Sequence, residues 1–212
     1  MAIFKDYLEN KSPLILHGAL GTEMESLGYD ISGKLWSAKY LLEKPEVIQK
    51  IHETYVAAGS DLITTSSYQA TLPGLIDAGL TKEEAEQIIA LTVQLAKDAR
   101  DKVWATLDET EKAKRPYPLI SGDVGPYAAY LANGSEYTGD YGRITIKELK
   151  EFHRPRIQIL VDQGVDLLAL ETIPNRLEAQ ALIELLAEEF PEAEAYISLQ
   201  SKNQALSVMG LL

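Results

Sequence analysis

The sequence predicts an α/β fold of parallel strands joined by helices. Three observations carry this. Short apolar runs alternate with longer stretches of helical periodicity. The helical stretches carry their own punctuation: Pro45 opens one, Gly59 stops it, and Thr81 with Glu84 forms a capping box for the next. Each apolar run ends in polar or glycine residues: His17-Gly18, Thr65-Ser66-Ser67, Ser121-Gly122-Asp123, Glu171-Thr172 and Ser198-Leu199-Gln200.

In chain order, residues 4–10 read as a short amphipathic helix and Pro13–Leu20 as the first strand. Glu23–Leu27 starts a helical turn, and Asp30–Lys39 is a polar loop. Pro45–Ala58 is a helix with Ile48, Ile51, Tyr55 and Val56 at helical spacing. Asp61–Ser67 is the second strand. The capped helix runs from Lys82 to Val103 or beyond, and Asp108–Arg115 is a charged loop or extension. Tyr117–Ser121 is the third strand, followed by a loop to Arg143 rich in Gly and Tyr; loops of this length usually serve function. A helix from Thr145 or Ile146 to Gln163 contains Pro155, which implies a kink or irregular start. Asp166–Glu171 is the fourth strand, Arg176–Phe190 its helix and Ala195–Leu199 the fifth strand.

The 212 residues suit one domain, 1–212, with a real core. A hydrophobic share of 46% and a charged share of 25% are ordinary for a globular chain. The net charge of -12 disfavours nucleic acid and anionic membranes as partners. No apolar run reaches the roughly 18 residues of a membrane span, and the first ten residues do not read as a signal peptide. A cytoplasmic location is expected. The chain has no cysteine, so it cannot form a disulfide or build a thiolate metal site from its own residues.

The stretch Asp166–Pro174 focuses the chemistry. Leu167, Leu168, Ala169 and Leu170 suit a strand buried on both faces, and Glu171 sits at its carboxyl end. A buried charge is costly unless paired or met by a ligand. Glu171 therefore either holds a cationic group, such as a substrate amine, or is a structural acid that caps a helix or pairs with a neighbour. Convergent polar strand ends are how a barrel builds a site, but closing such a barrel takes eight βα units, and about five are present.

Three blocks resemble a known family. Ile15-Leu16-His17-Gly18-Ala19-Leu20-Gly21-Thr22-Glu23-Met24 is similar to the first-strand motif of the homocysteine S-methyltransferases. Leu35-Trp36-Ser37-Ala38-Lys39 and Ser67-Tyr68-Gln69-Ala70-Thr71 resemble the bacterial branch that uses S-methylmethionine. Gly122-Asp123-Val124-Gly125-Pro126-Tyr127, with Leu131-Ala132-Asn133-Gly134-Ser135-Glu136-Tyr137, is the most specific block, and Glu171-Thr172-Ile173-Pro174 fits the fourth-strand acid. The likeness runs from about residue 12 to 199. It implies a TIM-type (β/α)8 barrel, here incomplete at about five βα units. It also implies methyl transfer from S-methylmethionine or S-adenosylmethionine to homocysteine, giving methionine, with zinc holding the homocysteine sulfur as thiolate.

Carried onto this sequence, the resemblance makes Glu171 the holder of the homocysteine amine. Thr65, Ser67 and the turn after Gly18 would hold its carboxylate or line the pocket, and Asp123 and Tyr127 would border the donor. Two departures stand out. His17 occupies the place of the usual aspartate, which leaves more of the amine to Glu171; a lone strand histidine is more often packed or hydrogen-bonded than a ligand. The family's three zinc cysteines have no counterpart, and His52 and His153 fall on helices, as surface or packing residues. No catalytic residue is secured and no metal ligand is assigned in this chain, so tight zinc binding is not expected.

The last residues, 200–212, read as an aberrant tail. The family carries Ser-Asp-Gly-Thr shortly after the fifth strand, and a shifted reading frame of Ser207–Leu211 can encode it. A frameshift near 200–206 is the corresponding expectation. Three functions remain open at this point. One is a homocysteine methyltransferase inactive as a lone chain. Another is a metal-independent enzyme using Glu171 and Asp123 as acid and base. The last is a non-catalytic module that self-associates through open barrel edges.

Overall fold

The computed structural model describes Phe4, residues 13–33 and residues 35–200. The expected helix over 4–10, Phe4 aside, and the expected tail after Gln200 lie outside the described residues.

Among the described residues four parallel strands form the sheet in sequential order: β1 (Leu62–Thr64), β2 (Leu119–Val124), β3 (Leu167–Ile173) and β4 (Ala195–Leu199). Between residue 13 and β1 come α1 (Leu20–Ser26), α2 (Lys39–Glu43) and α3 (Pro45–Ala58), with a 3-10 turn at Trp36–Ala38. Between β1 and β2 come α4 (Leu72–Asp77), α5 (Lys82–Thr106) and α6 (Glu109–Lys112). Between β2 and β3 come α7 (Tyr127–Leu131), α8 (Ser135–Thr138) and α9 (Ile146–Asp162), and α10 (Arg176–Glu189) joins β3 to β4. Strand followed by helix, with each new strand added parallel beside the last, is the build of a (β/α)8 barrel carried part of the way round.

Local sequence sets the helix ends. Thr81 and Glu84 exchange both capping-box bonds, at 3.2 and 2.8 Å. Thr145 and Glu148 do the same for α9. Gly59 ends α3 at φ 105°, a left-handed geometry that costs glycine little. The segment expected as a charged loop, Asp108–Arg115, instead contains the one-turn helix α6, because Asp108 and Glu111 form a third capping box. The long loop after β2 holds α7 and α8. Pro155 sits within the continuous helix α9.

The expected first strand, Pro13–Leu20, is corrected. Only Leu16 bridges β1, through Leu62, and Leu20 already starts α1. Ile15 and His17 share backbone bonds with Asp61 and Leu62, and the Asp61 carboxylate accepts the Ile15 N–H at 3.0 Å. No strand pairs with the other side of this segment among the described residues, and Ile15 and Leu16 are 58% and 51% exposed. The backbone bonds of Ile15 and His17 reach only Asp61 and Leu62, which makes a bridge and stops short of a ladder. About five strands thus become four and an edge segment.

Side chains alternate across the sheet. Ile63, Ile120, Val124, Leu168 and Leu170 pack into clusters with the helices, joined by Ile89, Val93, Ile157 and Leu182. Leu62, Leu119 and Leu167 form a separate cluster on the other face, toward the amino ends of the strands. The register then places Asp123 opposite Ala169, and Ala169 opposite Tyr196. Glu171 follows Ala169 on that same face, two residues toward the carboxyl end. No helix among the described residues is long and apolar enough to cross a membrane.

Candidate active site

A cleft of about 760 Å³ opens at the carboxyl ends of the strands. His17 and Gly18 line it from the edge segment, Thr64, Thr65 and Ser66 from β1 and its loop, and Asp123 from β2. Glu171 and Thr172 contribute from β3, Tyr68, Glu136 and Tyr137 from the loops, and Trp36 from the 3-10 turn.

Three acids line this cleft: Asp123, Glu136 and Glu171. Asp123 is buried, and its Oδ1 has no hydrogen-bond partner. Burial pushes its pKa well above the usual carboxylate range, and the Glu171 charge adds to the shift; Arg156 opposes it. Glu171 accepts the hydroxyl of Tyr196 on Oε1. Burial and this carboxylate hold the Tyr196 phenol protonated. A β-bulge follows Glu171: the β3–β4 register shifts between Leu170 and Ile173, and Thr172 takes φ 58°. That conformation is rare for a β-branched residue. It is held by the Thr172 N–H donating to Ser198 Oγ at 2.8 Å.

Thr65 and Ser67 form a closed ring with Asp123. The Asp123 N–H donates to Thr65 Oγ1 at 2.9 Å, and Ser67 Oγ–H donates to the Asp123 carbonyl at 2.7 Å. The Thr65 and Ser67 hydroxyls lie 2.7 Å apart. Ser67 has spent its one proton on the carbonyl, so Thr65 donates to Ser67. Neither hydroxyl has a proton left for a ligand. Ser67 is fully buried and lies behind the cleft rather than in its lining. Ser66 does line the cleft, and its hydroxyl has no protein partner. It is a buried hydroxyl with its proton uncommitted, between two neighbours whose protons are spent.

Tyr127 also lies off the cleft. Its ring packs edge-on against Phe152 at 4.9 Å and against Tyr141 at 5.5 Å. Tyr68 borders the cleft instead, donating to Glu136 Oε1 at 2.8 Å.

His17 lines the cleft with a buried, unpartnered Nδ1. Burial lowers its pKa, opposed by the Gly18 backbone and the Glu171 carboxylate. His17 meets the His52 ring edge-on at 6.2 Å. The expectation that His52 and His153 are surface or packing residues is narrowed, because both are fully buried. They lie on the apolar stripes of α3 and α9. His52 has neither ring nitrogen bonded, and burial lowers its pKa to about 3.

His153 belongs to a network the sequence reading missed. Arg156 Nη2 lies 3.2 Å from His153 Nδ1, and His153 Nε2 lies 2.7 Å from Glu178 Oε1. Arginine can only donate, so Nδ1 accepts and Nε2–H donates to Glu178. Glu178 also accepts the Tyr127 N–H at 2.5 Å and the Tyr141 hydroxyl. A signal was present: His153 and Arg156 stand at i and i+3 on the stripe that carries Leu149, Ile157 and Leu160.

With the geometry in place, comparison with known proteins is informative. A sequence profile of homocysteine S-methyltransferase matches residues 14–210. The chain belongs to the homocysteine S-methyltransferase family. Homocysteine S-methyltransferase YbgG of Bacillus subtilis is 47% identical over 190 residues, which cover 90% of this chain and 59% of the relative. Homocysteine S-methyltransferase 1 of Brassica oleracea is 44% identical over 202 residues, covering 94% and 62%. The metallated form of the homocysteine methyltransferase MmuM from Escherichia coli superimposes with a TM-score of 0.83 at 42% identity, over 93% of this chain and 66% of that one. The chain thus spans about 60% of the length of these curated relatives.

The donor set does not fit the zinc that the family resemblance implies. The chain has no cysteine. Among the described residues no three His, Cys, Asp or Glu side chains group closely enough to hold a metal. Glu171 is engaged by Tyr196, and His52 is sealed in the core.

Proposed function

We propose that this chain carries the amino-acid-gripping part of a homocysteine S-methyltransferase site. The observation that carries the reading is the pairing of Asp123 and Glu171 on one sheet face at the strand ends, beside an unpartnered Ser66 hydroxyl. The Glu171 charge opposes ionisation of the buried Asp123 carboxyl, and an ammonium group seated between the two relieves that repulsion. Glu171 takes the homocysteine amine, with Oε2 turned to the ligand while Tyr196 occupies Oε1. Asp123 adds charge from behind. Ser66 and the backbone after Gly18 receive the carboxylate. The loops bearing Tyr68, Glu136 and Trp36 border the space for a sulfonium methyl donor, S-methylmethionine or S-adenosylmethionine. Activation of the sulfur is assigned to no residue of this chain.

Titration calorimetry with L-homocysteine tests the grip, and methionine formation from either donor tests turnover. Homocysteine binding that glycine ethyl ester, an amine without a carboxylate, fails to match supports the reading. Equal binding of the two, or none, overturns it. The family origin and the amino-acid cleft favour this reading over a metal-independent acid–base enzyme built on Glu171 and Asp123.

Self-association is the partner reading that a specific observation favours. The edge segment exposes Ile15 and Leu16, and β4 exposes Ile197 and Leu199 at 36% and 40%. Such edges pair readily with another chain. Light scattering on a dilution series should show an oligomer; a monomer at all concentrations would remove this reading.

A further inference from the structure

The two loops that carry the cleft residues come close together behind it. Gly125 lies against Tyr68 so tightly that a Cβ on Gly125 would stand 2.6 Å from the Tyr68 carbonyl oxygen. One buried side chain bridges this approach. Arg156, on α9, is 1% exposed. Its Nη1 donates to the carbonyls of Ser67 at 3.1 Å and Tyr68 at 2.9 Å, and its Nη2 donates to the carbonyl of Gly125 at 2.5 Å. These three carbonyls belong to the loops after β1 and β2. Ser66, Tyr68 and Asp123, all in the lining of the cleft, lie at these anchor points or within two residues of them.

We propose that Arg156 is the positioning residue of the amine pocket: its guanidinium ties the loop after β1 to the loop after β2 and so places Ser66, Tyr68 and Asp123 around the cleft, with its cation on the Asp123 side. The link to a bound ammonium rests on the ammonium-binding reading of the cleft, whereas the tie between the loops stands on geometry alone.

The chemistry suits the residue. Three carbonyl oxygens in a fixed spread need a planar donor with several N–H groups, which arginine has and lysine lacks. The cation is buried, and its neutralising charge arrives at one remove: Arg156 donates to neutral His153, which donates to Glu178. Burial lowers the Arg156 pKa to about 10, so it remains charged at neutral pH. The ionisable neighbours of Asp123 are Glu171 on β3, Tyr196 on β4, Tyr68 after β1 and Arg156 on α9. Arg156 is the cation among them, and it alone favours the Asp123 carboxylate.

Two variants separate spacing from charge. Arg156→Met removes both. Arg156→Lys keeps the charge and can reach fewer of the three carbonyls. The first measurement is the 13C-carboxyl titration of Asp123 in the unliganded protein, assigned against Asp123→Asn. Arg156→Met should move the midpoint up by about one pH unit, and Arg156→Lys should leave it near the wild-type value. The second is L-homocysteine affinity, which should fall roughly tenfold or more in both variants through loop misplacement. Should Arg156→Met not fold, the lysine variant still decides the matter by an unmoved midpoint with weakened binding. Equal midpoints in wild type and Arg156→Met, or a lysine variant that binds homocysteine as wild type, overturns the proposal. The unliganded titration does not depend on homocysteine, so a protein that never binds it would sink the functional reading while the charge role of Arg156 is still judged.

Discussion

The hydroxyl of Tyr196 is donated to Oε1 of Glu171 across adjacent strands of the sheet. The bond leaves Oε2 of the acid for a ligand and fixes the direction in which it points. Glu171→Gln removes the charge while keeping the shape. A hydrogen bond to a charged group contributes about 1.5–3 kcal/mol, so homocysteine affinity measured by calorimetry should fall on the order of tenfold to a hundredfold. Tyr196→Phe should weaken it less, because the charge remains. An unchanged dissociation constant in the glutamine variant would exclude Glu171 as the amine holder.

Ser67 acts behind the cleft rather than in it. Ser67→Ala removes the hydroxyl that donates to the Asp123 carbonyl and accepts the Thr65 proton, leaving that proton without its acceptor in a buried site. A buried unpaired polar group costs about 1–3 kcal/mol. Urea unfolding should show a loss of that size. Homocysteine binding in the folded fraction should change little, whereas Ser66→Ala should weaken binding and leave stability near the wild-type value. The opposite pattern would exchange the roles of the two serines.

His52 gives the protein an acid sensitivity. Its folded pKa, about 3, lies below the ordinary histidine value of about 6.5. Between these values the unfolded chain binds the extra proton, so stability falls as pH drops below about 6.5, by about 1.4 kcal/mol per unit for one such site. His17 and His153 are lowered as well and add to the slope. His52→Leu also removes two unpartnered ring nitrogens. It should flatten the dependence of unfolding free energy on pH between 6.5 and 5 and stabilise the protein at pH 5. A slope identical to wild type would mean that His52 is protonated in the folded state.

Gly125→Ala should be strongly disruptive despite the small change. The added methyl meets the Tyr68 carbonyl at 2.6 Å, and backbone must move to admit it. A loss of about 1–3 kcal/mol is expected in urea unfolding, with weaker homocysteine binding as the two loops separate. Gly134→Ala makes a useful contrast: its φ of 85° is strained for alanine, yet nothing lies near the new methyl. It should cost less than the Gly125 change, and the reverse order would discount the close approach.

The helices were legible because their signals are local. Gly59, Thr81, Glu84 and Thr145 fix ends through bonds to residues at most four positions away, Pro45 starts α3 by its fixed φ, and α3 begins and ends at the expected residues. Strand β4 was found residue for residue, and Glu171 was found near the carboxyl end of β3, which runs two residues past the expected end to Ile173, because an apolar run with one carboxylate behind it is a strong pattern. The Pro13–Leu20 strand was over-read, since its apolar run does not show how few of its backbone groups meet β1.

The sequence by itself determined the order of strands and helices, the family blocks and the set of polar groups at the strand ends. Only the tertiary structure decided which of those groups face the cleft. Parallel register set Asp123 in the row of Ala169 and Tyr196, with Glu171 just beyond. It turned Thr65 and Ser67 into a closed ring and left Ser66 free. It drew Arg156, 89 residues along the chain from Ser67, into contact with that loop. The physical reason is range: caps and periodicity act within a few residues, whereas charge pairing and hydrogen-bond satisfaction depend on groups that meet only once the sheet has formed.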